Sequence, residues 1–472
     1  MKFKKVLVMT LAFAMAFGTV GCNVAEVSSG GETVDVNDLY IPTYEDEGQE
    51  IRMMADLPPN MSNETEAQMY KDLGMTAVPI TEDFFSAAQV VSDNGVVNER
   101  SDYLKALQMC EKLDIDAFIR PHSKNVASSP LTTPTYYEEH FAGLDFRDYP
   151  AVKGFYPVDE PSYAQLEDLS TRYVAWFNEN YGGDGYEFFA NLFACHNATA
   201  LAGSVGKSYD DYAEKYLNEV LERVDSVNKH FSVDYYVLRH KNGVPYMFET
   251  NLIAHADAAI RAKAHGVGFA AYVQTFGGNT DGQTYRIPSS FAEINFSIYN
   301  ILSFGAHTLK YYGYRDTGTE THMVTEGKPN ERYYWTKEAN GYIKKYEHVL
   351  LSFTWEHLFT NVGTGSRLAV NEAFELVRDI VKPITDVKTV KSKYDITMNE
   401  FSDGEGNKAF MLLNYDDPIN ARSNKVKLTF KEADGVMYYR KGEPTVVGLT
   451  DHKFEIELEA GEGVFVIPLY KK

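Results

Sequence analysis

Lys153-Gly154-Phe155-Tyr156-Pro157-Val158-Asp159-Glu160-Pro161 is an apolar run that stops at two adjacent carboxylates and a proline, and an amphipathic stretch, 163–180, follows it. A strand that ends in acids and feeds a helix is one unit of a repeat. Upstream, the same alternation places strands at 51–55, 77–80 and 117–120, with helices at 64–73 and 100–113. Downstream it places strands at 187–192, 232–238, 268–274 and 308–312, with helices at 209–227, 254–265 and 290–304. Strands and helices alternating over such a span predict an α/β chain folded as a (β/α)8 TIM barrel, not an open doubly wound sheet. No G-x-G-x-x-G follows the first strand, so no dinucleotide site is expected. Asn242-Gly243 between the apolar runs 233–238 and 244–248 is a hairpin signal. The first run is read as strand six, the second as a loop excursion.

The barrel is expected over 50–362. Beyond it, after a helix over 336–359, short alternating runs separated by turns such as Asp403-Gly404-Glu405-Gly406-Asn407 predict a small all-β sandwich domain over 363–472. At the other end, Lys2, Lys4 and Lys5 precede an apolar stretch, 6–17, and Thr19-Val20-Gly21-Cys22 closes it. This is an export signal over 1–22, and its Gly-Cys ending resembles a bacterial lipobox. Cys22 is then a lipid anchor, 23–49 a flexible tether, and the body lies on the extracytoplasmic face of the cell membrane, held by that anchor alone. Cys110 and Cys195 sit in apolar contexts and read as buried thiols.

Composition narrows the partners. The 472 residues carry 45 Lys and Arg against 67 Asp and Glu, a formal charge of −22. Such a surface repels phosphate backbones, so nucleic acid is not an expected partner. No H-E-x-x-H or Cys pair occurs, and neither a metal nor a cofactor is expected. The Gly-rich segment 276–282 reads as a mobile loop over a cleft.

In a barrel the site forms where the strands end, so the polar residues just past each apolar run are the candidates. Two acids at the end of strand four, in low dielectric and repelling each other, raise one pKa, which suits Glu160 to general acid work. Asp159 or Ser162 alternatively caps the helix that follows. Asp234 interrupts the aromatic strand Ser232-Val233-Asp234-Tyr235-Tyr236, where an unpaired charge is costly. It is expected to face the lumen or to pair with Arg239 or Arg120. Asp56, Arg120, His122, Asn191, His196, Tyr236, Gln274, Tyr312 and Tyr314 are the candidates for holding a substrate at the same face.

The segment 154–161, Asn191-Leu192-Phe193, Ser232 to Tyr236, Tyr272-Val273-Gln274, and Tyr285-Arg286-Ile287-Pro288 with Glu293 and Phe304-Gly305-Ala306 resemble exported bacterial (β/α)8 glycoside hydrolase-like proteins. That group is distantly related to a retaining clan with an acid/base glutamate on strand four and a nucleophilic glutamate on strand seven. The resemblance implies an O-glycosyl hydrolase of an extracellular oligo- or polysaccharide, with Glu160 at the acid/base position. It departs at strand seven, where Gln274 replaces the nucleophile, and at Asp159, where the clan has Asn. The second acid is then Asp234, as nucleophile or base for water, or Glu249 or Glu293. Alternatively Asp159 and Glu160 act as the pair of substrate-assisted hexosaminidases, or the barrel is catalytically inactive and serves as a surface glycan-binding lipoprotein.

Overall fold

The computed structural model describes residues 32–81, 101–120, 144–195, 197–201, 204–247, 250–280, 283–317, 320–361 and 386–472. The expected strands fold as β1 (Arg52–Ala55), β2 (Ala77–Thr81), β3 (Asp116–Arg120), β4 (Val152–Phe155), β5 (Glu187–Phe188, resuming as Asn191–Phe193), β6 (His230–Asp234), β7 (Gly268–Gln274) and β8 (Ala306–Tyr312). The sheet has nine segments, and since two of them are the halves of β5, it has eight strands. The first half of β5 pairs in parallel with β4 and the second half with β6, while β8 pairs with β1. The ring therefore closes, as a (β/α)8 barrel. Gly154 permits the β4–β5 approach, because a Cβ there would lie 2.3 Å from the Glu187 carbonyl oxygen. Near the amino ends of the strands, Arg52 grips Glu187 with two bonds of 2.5 and 2.7 Å, tying β1 to β5 across the floor.

Helices α1 (Glu64–Asp72), α2 (Asp102–Leu113), α3 (from Tyr163), α4 (from Tyr209), α5 (Thr250–Ala264), α6 (Phe291–Leu302) and α7 (Glu331–Lys344) belong to the outer layer. Ser162 caps α3 and Gln165 completes the capping box. Asp159 is thereby left out of the cap. Among the described residues no helix is long and apolar enough to cross a membrane.

Strand six stops at Asp234, earlier than its apolar run suggests. Leu238–Lys241 instead pairs antiparallel with Val244–Met247 around the Asn242-Gly243 turn, so the hairpin lies wholly beyond the barrel strand. The hairpin joins Gln283–Tyr285, Gly277–Thr280 and Glu320–Thr321 in a second sheet, which makes part of the expected Gly-rich loop a strand.

The helix expected through residue 359 ends at Leu351, and Thr354–Asn361 is a strand. That strand belongs to a six-stranded antiparallel sheet with Ile396–Ser402, Lys408–Asn414, Gly463–Leu469, Gly435–Arg440 and Glu443–Gly448. A three-stranded sheet of Val387–Lys391, Asn424–Phe430 and Lys453–Leu458 faces it across a core that includes Met398, Phe410, Leu412, Leu428 and Val466. Barrel and sandwich are welded by Arg286, whose guanidinium lies 2.8 Å from Glu293 of α6 and 2.7 Å from Asp417 of the sandwich. Residues at the other end of the chain also lie on the sandwich: Val34 N–H donates to the Leu449 carbonyl and Tyr40 N–H to that of Tyr470.

Candidate active site

The barrel lumen is plugged by Met54, Ala77, Phe118, Tyr156 and Phe189. The polar groups of the mouth rest on this aromatic floor. Arg120, the last residue of β3, donates to Asp56 Oδ1 at 3.2 Å and to Asp159 Oδ2 at 3.1 Å, with its guanidinium 4.5 Å from the centre of the Tyr156 ring. Asp159 Oδ1 accepts from Tyr156 Oη at 2.8 Å and from Asn191 Nδ2 at 3.1 Å, and Tyr272 Oη donates to Asp56 Oδ2 at 2.8 Å. Burial raises the Asp56 pKa, with Arg120 opposing the rise. Both oxygens of Asp159 thus have donors, and the carboxylate is fixed in place.

Glu160 is reached by a backbone in the left-handed region, φ 49°. A side chain there costs about 1 kcal/mol or more, so local contacts must hold it. Its N–H donates to the Asn191 carbonyl at 2.9 Å, and Tyr212 Oη clamps the next residue by donating to the Pro161 carbonyl at 2.7 Å. This kink frees the adjacent acids from the strict alternation of a strand.

Asp234 ends β6 beside that kink. Its carboxyl is hydrogen-bonded with the side chains of Glu160 and Asn191, and burial, then the Asp159 charge, push its pKa up to about 7. Its Oδ1 is buried without a hydrogen-bond partner among the described residues. Two carboxyls in contact repel when both are charged, and Asp234, titrating at about 7, keeps a proton on the pair below neutrality.

The remaining candidates divide. Arg120, Asp56 and Asn191 belong to the network just described. Tyr236 packs edge-on with Phe276 and Tyr285 and near Tyr312, an aromatic wall at the rim. Tyr312 Oη donates to Glu320 Oε2 at 3.2 Å, and His322 lies 3.5 Å from the same oxygen. Gln274 is otherwise engaged: its Oε1 accepts from Leu238 N–H at 2.8 Å, while its Nε2 donates to the carbonyls of Leu238 at 2.8 Å and Arg286 at 3.1 Å. Its amide pins the rim hairpin. Tyr314 packs edge-on against Tyr70 of α1, in the shell between strands and helix. Glu293 is fully buried in the weld to the sandwich and accepts from Ser289 as well, so it supplies no second acid. His122, His196, Glu249 and Cys22 lie outside the described residues.

Sequence reasoning missed Tyr156, Tyr272, Ser232, Lys310 and the Glu320–His322 pair. Tyr156 and Tyr272 stand inside apolar runs and read as packing. Lys310 had a usable signal, since a lysine within Thr308-Leu309-Lys310-Tyr311-Tyr312 breaks an apolar strand just as Asp234 does.

No family model matches the chain, and no curated protein matches it. Among solved structures it is similar to a family 39 glycoside hydrolase from the gut symbiont Bacteroides cellulosilyticus, at 11% identity over 91% of this chain and 83% of that one, with a TM-score of 0.47. A GH27 β-L-arabinopyranosidase from Geobacillus stearothermophilus aligns at 12% identity over 89% of this chain and 96% of its own, TM-score 0.46. A β-galactosidase from the psychrophilic Marinomonas ef1 aligns at 11% identity over 64% of this chain, TM-score 0.41, and the chain spans 62% of that enzyme's length.

Proposed function

We propose that the protein hydrolyses O-glycosidic bonds of an extracellular oligo- or polysaccharide, with Glu160 as general acid and Asp234 as the second carboxylate. The contact between these two carboxyls at the barrel mouth carries the reading. An inverting pair keeps roughly 6.5–9.5 Å between its carboxyls to seat a water and a retaining pair about 5–5.5 Å, and carboxyls in contact stand nearer the second spacing, which favours the retaining route. The single proton on the pair matches what that route asks for, one acid and one nucleophile. When a glycoside enters, the proton that Asp234 holds passes to Glu160. Glu160 then gives it to the leaving oxygen while the Asp234 carboxylate attacks the anomeric carbon. Water, deprotonated by Glu160, releases the sugar from the resulting ester. Asp159, held by Arg120, Tyr156 and Asn191, stabilises positive charge developing on the ring.

Substrates with good and poor leaving groups test the roles. Glu160→Gln is expected to lose orders of magnitude on an unactivated glycoside and far less on a dinitrophenyl glycoside, which needs no proton. Asp234→Asn should lose both activities, with azide restoring turnover of the activated substrate. Retained configuration in the first product, read by NMR, supports the scheme; inversion, or full activity of Asp234→Asn, overturns it. Gln274 supports the rival reading of an inactive, glycan-binding barrel, because strand seven offers no acid. That reading requires saturable glycan binding with no hydrolysis of any bound sugar. In either case Cys22 carries the lipid that holds the body at the membrane, and Cys22→Ser should leave unprocessed precursor in place of a membrane-retained mature chain.

A further inference from the structure

Beneath the mouth, Lys310 of β8 is fully buried in the lumen. Its ammonium lies 4.3 Å from the centre of the Phe189 ring, 5.1 Å from that of Tyr156 and 5.5 Å from that of Tyr272, and donates to Ser232 Oγ at 2.9 Å. Burying an ammonium is expensive, and a methionine would fill the same tube without the cost. The charge therefore calls for a use other than packing.

The hydrogen bonds above it supply one. Ser232 Oγ lies 2.8 Å from Asn191 Oδ1, and Asn191 Nδ2 lies 3.1 Å from Asp159 Oδ1. An ammonium has only donors and a hydroxyl only one proton. With Lys310 donating from below, the Ser232 proton turns to Asn191, whose oxygen takes it, and the amide must then show its NH2 upward. A reversed amide would set an oxygen against Asp159 and Asp234. We propose that Lys310 is a positioning residue that sets the sense of this chain, Lys310 to Ser232 to Asn191, and so aims the Asn191 NH2 at the carboxylates of the mouth.

The groups facing the ammonium are Asp56 of the loop after β1, Arg120 of β3, Tyr156 and Asp159 beyond β4, His230 and Asp234 of β6, and Tyr272 of β7. Burial, opposed by these acids, pulls the Lys310 pKa down to about 7. The chain then loses its enforced sense in the alkaline range, where a neutral amine can accept the Ser232 proton.

The hydrogen-bond sense stands apart from the glycosidase reading; only its effect on turnover rests on it. The test follows the side-chain amide of Asn191 by 1H–15N NMR of the full chain labelled at asparagine, the signal being identified by its loss in Asn191→Ser. In the wild type the signal should move with pH through the titrations of both Asp234 and Lys310, and in Asp234→Asn only the transition attributable to Lys310 should remain. In Lys310→Met that transition should vanish, and in Ser232→Ala, which cuts the chain and keeps the charge, the amide should no longer sense it. Both variants should lower kcat/KM by roughly tenfold or more, the scale at which groups behind a reacting shell act, while Lys310→Met melts no lower than the wild type. An Asn191 signal whose pH response is the same in the wild type and both variants overturns the proposal. If Lys310→Met fails to fold, Ser232→Ala decides alone. If the NMR result holds while the wild type hydrolyses no glycoside, the positioning role stands and the glycosidase reading falls.

Discussion

Asp234 gathers its proton from burial and from the charge of Asp159, and that has a price in stability. The sign follows from comparing states. Unfolded, an aspartate titrates near 3.9; folded, Asp234 titrates at about 7. Between those values the native protein keeps a proton that the unfolded chain has released, so raising the pH across this window favours unfolding, and above it the loss levels off. Asp234→Asn removes the effect. Melting curves should therefore show the variant gaining on the wild type as pH rises from 4.5 to 7.5, and a constant gap would mean that the carboxyl is not held protonated. Lys310, lowered to about 7, acts in a separate window. From 7 upward the unfolded chain holds the extra proton, and stability rises with pH. That an acid ends β6 is legible in the sequence because it interrupts an aromatic run. Its contact with Glu160 is not, because that depends on the left-handed backbone at residue 160, for which a non-glycine residue gives no warning.

The elements of the barrel are the most readable part of the chain, since each strand is a short apolar run buried on both faces and each helix repeats at its own period. Misreadings occur where two signals overlap. The run 232–238 looks like one strand, yet β6 leaves the barrel sheet at Asp234 and Leu238 begins the hairpin that Gln274 holds. Phe353, Trp355, Leu358 and Phe359 are spaced closely enough to extend a helix, but the β-prone residues among them pair along Ile396–Ser402 instead. Gln274 illustrates the functional side of such overlap. Its position at the end of β7 suggests a lost nucleophile, whereas its amide both accepts and donates at 2.8 Å to the backbone of Leu238. Gln274→Glu would turn an ionised oxygen toward the carbonyls of Leu238 and Arg286 with no donor to meet them. It is expected to cost about 2–4 kcal/mol in denaturant unfolding and to add no hydrolytic activity. A stable, more active Gln274→Glu protein would instead identify strand seven as the place of the missing acid.

At the level of the whole molecule, the barrel and the sandwich share a buried ion cluster, Arg286 with Glu293 and Asp417. Arg286 and Glu293 are close in sequence, and Glu293 reads as a possible second acid; Asp417 is 131 positions from Arg286, and no local pattern announces the pairing. Asp417→Ala leaves Arg286 short of one carboxylate inside a sealed interface and should cost about 3–5 kcal/mol. Because the cluster is desolvated, that loss should change little between low and high salt, whereas strong salt dependence would place it at the surface. The segment that begins at Val34 has a different consequence. It docks on Leu449 and Tyr470, residues made at the far end of the chain, so the earliest described backbone waits for the latest before it can be placed. Closing a loop of that size is slow, and the whole barrel must be synthesised in between. During synthesis the polypeptide therefore travels with this seam open, and the segment from Val34 takes its place only once Leu449 and Tyr470 have been made.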